Sequence, residues 1–249
     1  MTGWHLGRLV GFDLETTSPD PLIARIVTAC VVRCGGGQPT ESRAWLTDVD
    51  GGEIPDGAAA IHGVTTERAR AEGVDLRAAV GEILDALSDA AMDGVPIVVM
   101  NARYDLTLLD REAQRYGMTP LDQRRGQLRV VDPYVIDKQV DRYRPGKRTL
   151  THLCQHYQVE LGDAHSADAD AIAACRVAWR QGAVYEQLAG MSLDDLHQAQ
   201  IGWAAEQAAS LQAHFRETDS KAVVEGAWPI IPRQMAVASG VTPRSGPCL

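Results

Sequence analysis

The chain has 249 residues, 45% of them apolar, and 24 Lys and Arg against 33 Asp and Glu give a formal net charge of −9. Such a length can bury a full core as one large domain, or as one domain with an appendage. The charge argues against a non-specific duplex binder, whose affinity comes from a broad basic surface laid on phosphates.

Nothing in the sequence reads as a transmembrane span or a secretory signal, since the N-terminus passes straight into a strand. A cytoplasmic location with no membrane partner is therefore expected. Cys30, Cys34, Cys154, Cys175 and Cys248 are odd in number and lack zinc-like pairing. Reduced thiols are the expectation.

In chain order, the apolar run Leu9 to Phe12 marks a strand over 7–14. Strands over 24–34 and 39–47 follow, parted by Pro19-Asp20-Pro21 and Gly35-Gly36-Gly37. A loop from Asp48 to Asp56 and a short helix after Gly63 come next. Residues 75–91 carry one apolar stripe of Leu76, Ala79, Val80, Ile83, Leu84 and Leu87, which predicts an amphipathic helix. The pattern continues as strand 95–100, helix 103–117, strand 127–132 and helices over 133–141, 149–157 and 167–184. Three strands followed by alternating helices and strands predict an α/β sheet of mixed direction.

Ser192-Leu-Asp-Asp195 has the form of an N-cap with first-turn acids and opens a helix to about Phe215. That helix either packs on the preceding residues or serves self-association or a partner such as a polymerase. The expected division is an α/β domain over 1–184, a helical extension over 185–232 and a disordered tail over 233–249.

Acidic motifs stand at the ends of these elements. Asp13 and Glu15 are two apart on a strand and share a face, while Leu14 points the other way. In Asn101-x3-Asp105 the acid falls near the start of a helix. In His165-x-Ala167-x-x-Asp170, Ser166 is the expected N-cap, with Asp170 in the first turn and His165 just before it. Asp168 lies about 200° around the axis from Asp170, so the two cannot easily share a site. The ends of sheet elements are where α/β folds build sites. Carboxylates placed there lose hydration, and a divalent metal is the usual compensator.

Taken together, Asp13-Leu-Glu15-Thr16-Thr17, Asn101-Ala-Arg-Tyr-Asp105 and His165-Ser-Ala-Asp-Ala-Asp170 resemble the motifs of the DEDD 3′–5′ exonucleases, in the variant whose last motif carries histidine. That family includes the proofreading subunit of bacterial replicative polymerases. Ile61-His62-Gly63-Val64 resembles a further family segment, and the likeness runs over roughly residues 6 to 180. The resemblance implies a ribonuclease H-like mixed sheet flanked by helices, with the last helices as a C-terminal extension. It implies two divalent ions, Mg²⁺ or Mn²⁺, held by Asp13, Glu15, Asp105 and Asp170, with His165 as general base. Family spacing selects Asp170 over Asp168 as the ligand.

The implied reaction is release of nucleoside 5′-monophosphates from the 3′ end of single-stranded DNA. Leu14, Thr16, His62 and Asn101 are the expected substrate contacts, with a turn-capping role open for His62. An RNA-trimming enzyme of the same chemistry and a non-catalytic nucleic-acid-binding module are the alternatives. Basic residues cluster at Arg124-Arg125-x3-Arg129 and at Arg142, Arg144, Lys147 and Arg148. The second cluster either touches substrate phosphates or is a solvated loop.

Overall fold

The computed structural model describes residues 3–162 and 166–233. Its sheet has the order β3-β2-β1-β4-β5. The strands are β1 (Arg8–Thr16), β2 (Ile26–Gly35), β3 (Glu41–Leu46), β4 (Ile97–Val98) and β5 (Val130–Val131). β1 pairs antiparallel with β2, and β2 with β3, while β4 and β5 run parallel to β1. This is the mixed sheet with flanking helices expected of a ribonuclease H-like fold. The parallel trio brings the C-terminal ends of β1, β4 and β5 to one edge.

The helices are α1 (Asp56–His62), α2 (Thr66–Glu72), α3 (Leu76–Met92), α4 (Ala102–Arg115), α5 (Pro133–Val140), α6 (Leu150–Tyr157), α7 (Ala167–Val184), α8 (Glu186–Ala189) and α9 (Leu193–Arg216). All six stripe residues of α3 are buried, and they pack with Phe12, Ile97, Leu106 and Leu109 in the main core. Two helices depart from the sequence reading. α1 begins inside the expected loop region, and α8 is a single turn after α7. The tail after Arg233 lies outside the described residues.

α7 crosses directly over β1. A Cβ at Gly11 would lie 2.5 Å from the Ala171 carbonyl oxygen and 2.9 Å from Cys175 Sγ. The absence of a side chain at Gly11 therefore sets how closely the helix approaches the strand. Asp170 precedes Ala171, so the same contact places that acid beside β1.

α9 lies against α5 and β5. Gln200 reaches under it to donate to the Val130 carbonyl at 2.9 Å, and its Oε1 accepts from the Asp132 N–H at 2.7 Å. After α9 the chain doubles back and buries Trp228 in the main core. Gly11→Ala should lower stability by about 1–3 kcal/mol, because the obstructing atom is backbone and the helix must move. Denaturant unfolding reads the stability, and calorimetric Mg²⁺ titration should show weaker binding as Asp170 shifts. A variant as stable as wild type would refute the close-approach account.

Candidate active site

Asp13 and Glu15 sit on one face at the end of β1, as strand alternation dictates, while Leu14 is buried in the core. Asp170 comes from the first turn of α7. One oxygen of each of Asp13, Glu15 and Asp170 lies within 4.8 Å of the other two. Asp105, in the first turn of α4, is buried, and its Oδ1 accepts from the Leu14 N–H at 3.1 Å. It is thus tied to the backbone between Asp13 and Glu15.

The electrostatics show what the cluster lacks. Burial pushes the Asp13 carboxyl well above the usual range, and Asp105, Asp170 and Glu15 push it further. Burial and then Asp170 raise Glu15 to about 7. Asp105 is raised by burial against the opposing effect of its own and the Leu14 backbone N–H groups. Among the described residues no Lys or Arg forms an ion pair with Asp13, Glu15 or Asp105. An all-oxygen, all-acidic donor set fits a hard divalent cation such as Mg²⁺ or Mn²⁺, rather than one that prefers sulfur or imidazole.

Beside the acids opens a cleft of about 750 Å³ lined by Leu14, Thr16, Pro55, Ile61, His62 and Tyr104. His62 Nδ1 accepts from the Val64 N–H at 3.2 Å, which is the turn-capping role. That bond puts the ring proton on the buried Nε2, which faces the Thr16 backbone. Asn101 takes a different position. It stands exposed at the head of α4 with a left-handed backbone (φ 60°, ψ 50°) and lines a neighbouring groove with Arg103 and Tyr134. His165 lies outside the described residues. Ser166 precedes α7 as expected, but its hydroxyl bonds to Asp168 rather than to a helix N–H.

Two residues escaped the sequence reading. Tyr104 shares its hydroxyl with Thr16 Oγ1 and the Ser18 carbonyl, closing one wall of the cleft. Its signal was a polar aromatic directly before the motif acid. Asp132 is buried at the end of β5 and caps two helices. Its carboxylate accepts from the N–H groups of Asn101 and Ala102 at 3.0 and 2.9 Å, from Tyr134 N–H at 3.0 Å and from Trp228 Nε1 at 3.0 Å. The dipeptide Asp132-Pro133, a cap acid before a first-turn proline, was its signal.

A sequence profile of the RNase T family, described as exonuclease, matches residues 10–178. The chain belongs to this exonuclease family. Solved structures share the fold. Exonuclease I matches with a TM-score of 0.61 and 20% identity over 76% of this chain and 43% of that one. Its E. coli complex with a dT13 oligonucleotide matches at 0.57 and 20% over 73% and 43%. A zinc-bound E. coli complex with single-stranded DNA matches at 0.58 and 21% over 73% and 42%. The chain thus spans less than half the length of those proteins. No curated protein matches it. Among the described residues no helix is long and apolar enough to cross a membrane.

The raised carboxyls make a stability prediction. Each binds its proton more tightly folded than unfolded, so its stabilising contribution is complete at low pH and is lost as pH rises. For Glu15 the window runs from about 4.5 to about 7. In chelator, the melting temperature of wild type should fall relative to Glu15→Gln across that window. Mg²⁺ should close the gap, since the cation binds the ionised form. Parallel curves for the two proteins would remove Glu15 from the repelling cluster.

Proposed function

We propose that this exonuclease removes nucleotides from the 3′ end of single-stranded DNA, in proofreading, repair or end-trimming, with two divalent ions, Mg²⁺ or Mn²⁺. The observation that carries the reading is the gathering of the Asp13, Glu15 and Asp170 carboxylates beside a cleft of about 750 Å³. The DNA complexes of the structurally similar exonuclease I support the choice of DNA.

Asp13, Glu15 and Asp170 would hold the cations directly, and Asp105, set back on the Leu14 amide, would act mainly through bound water. When bound, the ions supply charge to the attacking and leaving oxygens of the displacement. The protein's own part is placement and proton transfer. Leu14 and the wall of Pro55 and Ile61 would receive the terminal base and sugar. The Thr16–Tyr104 hydroxyl pair would form one wall around the bound nucleotide, and His62 would brace the cleft from behind Thr16. These contacts carry no pattern that reads a particular base, so cleavage is sequence-independent. His165 would take the proton of the attacking water, which an imidazole near its ordinary pKa of about 6.5 can do at neutral pH.

Two predictions follow from these roles. Asp13→Ala should abolish hydrolysis of a 5′-labelled single-stranded oligonucleotide, while a 3′-phosphate should protect the wild-type substrate. Rapid cutting of circular single-stranded DNA would disprove the exonucleolytic reading, and preferential cutting of RNA would change the substrate assigned. His165→Ala should slow single-turnover cleavage by about 10²–10⁴-fold with metal binding retained. Wild-type rates should rise with pH through the imidazole titration, and the variant should lack that limb. A variant near wild-type rate with the same pH profile would remove His165 as the base.

A further inference from the structure

A second depression leads away from the acids. Its head is formed by Asn101, Arg103 and Tyr134, and its far end, about 370 Å³, by Lys138, Arg142, Tyr143 and His214. Lys138, Gln207 and Leu211 line both parts, so the two form one continuous groove between α5 and α9. A bond from Gln207 Nε2 to the Val135 carbonyl at 3.0 Å fixes its floor. We propose that this groove carries the single-stranded nucleic acid upstream of the 3′ end, binding its phosphates and stacking its bases. The inference rests on the exonuclease reading of the acidic site and extends it.

Position is the first argument. Arg103 heads the groove and Tyr104, the next residue on α4, lines the nucleotide cleft. Groove and cleft therefore meet at the first turn of α4. A strand with its last nucleotide in the cleft needs only to cross that helix end to enter the groove.

Charge is the second. Most arginines of the two basic clusters are neutralised. Arg124 pairs with Asp85, Arg129 with Asp194, and Arg144 and Arg148 both with buried Asp137. Among the described residues Arg103, Lys138 and Arg142 form no ion pair. In a chain of net charge −9, three unneutralised cations along one groove complement a phosphate backbone. Glu206 is the single unpaired acid lining the far end.

Aromatic placement is the third. Tyr143 is 89% exposed, a large ring held in water beside Arg142. Lys138 Nζ lies 4.9 Å from the centre of the Tyr134 ring. Cations alternating with tyrosines make the usual sequence-tolerant surface for single strands. A docking helix from a protein partner would want apolar surface instead, and Leu211 and Phe215 are the only large apolar residues exposed on the described part of α9.

The test uses the full chain with Asp13→Ala, so that substrate survives, and reads fluorescence anisotropy of a labelled oligothymidylate of about 12 residues. Adding Lys138→Ala and Arg142→Ala should weaken binding and reduce the slope of log affinity against log salt by about 1.4, at about 0.7 per single-strand phosphate contact. Tyr143→Ala should weaken it by roughly tenfold, the loss of one stacked base. In otherwise wild-type protein the same substitutions should raise KM for the long oligonucleotide far more than for a dinucleotide, which does not reach the groove. Melting curves check folding. Unchanged affinity and salt slope would overturn the proposal, as would equal losses on long and short substrates. If the groove variants lose binding while wild type cleaves nothing, the groove stands and the exonuclease reading falls.

Discussion

Repulsion among carboxylates gathered at the end of β1 is the constraint around which the molecule is arranged. The chain buries other acids as well, and the contrast is informative. Glu112 is held by Arg25 at 2.8 Å and Arg115 at 3.0 Å, Asp110 by Arg233 at 2.5 Å, and Asp137 by Arg148 and the Tyr157 hydroxyl, each at 2.8 Å. Those acids are compensated within the chain, as a buried charge must be if it is to remain ionised. Burial, and then the neighbouring carboxylates, instead make Asp13 and Glu15 hold their protons more tightly. Among the described residues no arginine pairs with Asp13, Glu15 or Asp105, and under the proposed function a divalent cation would supply their compensation.

Holding such a cluster together requires rigid supports, and each acid has one. Asp105 is anchored on the Leu14 amide, and Asp170 on a helix that Gly11 lets down onto β1. The position of α4 depends in turn on Asp132, which draws donors from α4, α5 and the returning chain at Trp228 while its own N–H is held by Gln200 of α9. The helical extension and the strand of chain after it therefore brace the catalytic edge from behind. Arg233 extends that bracing by pairing with Asp110 of α4.

Much of this was legible in the sequence because it follows from local periodicity. The α3 stripe, the shared face of Asp13 and Glu15, and the start of α7 before Asp170 each depend on residues near one another in the chain. What escaped depends on partners far away. β4 and β5 pair over two residues each, although the apolar runs that announced them are longer, because ladder length is set by the neighbouring strand. α1 carries no fully buried residue and has Pro55 as an uncapping N-cap, so no apolar period marks it. The basic residues from Arg142 to Arg148 look alike in sequence. Only Asp137, one helix upstream, divides them into structural arginines and free cations.

That division also resolves the conflict between an acidic chain and an anionic substrate. A single strand brings a charge at every phosphate, and the carboxylates at the site add to it. Under the proposed function the terminal phosphate would meet divalent cations, which supply charge where bonds are made and broken. Under the proposed path the upstream phosphates would meet Arg103, Lys138 and Arg142, which are spread along the groove. Among the described residues twelve arginines elsewhere in the fold are paired with acids, which lowers the charge left to hold a duplex side-on. An enzyme arranged this way would engage a strand by its end, with attraction concentrated along one path into the cleft, and a net charge of −9 is compatible with that mode of binding.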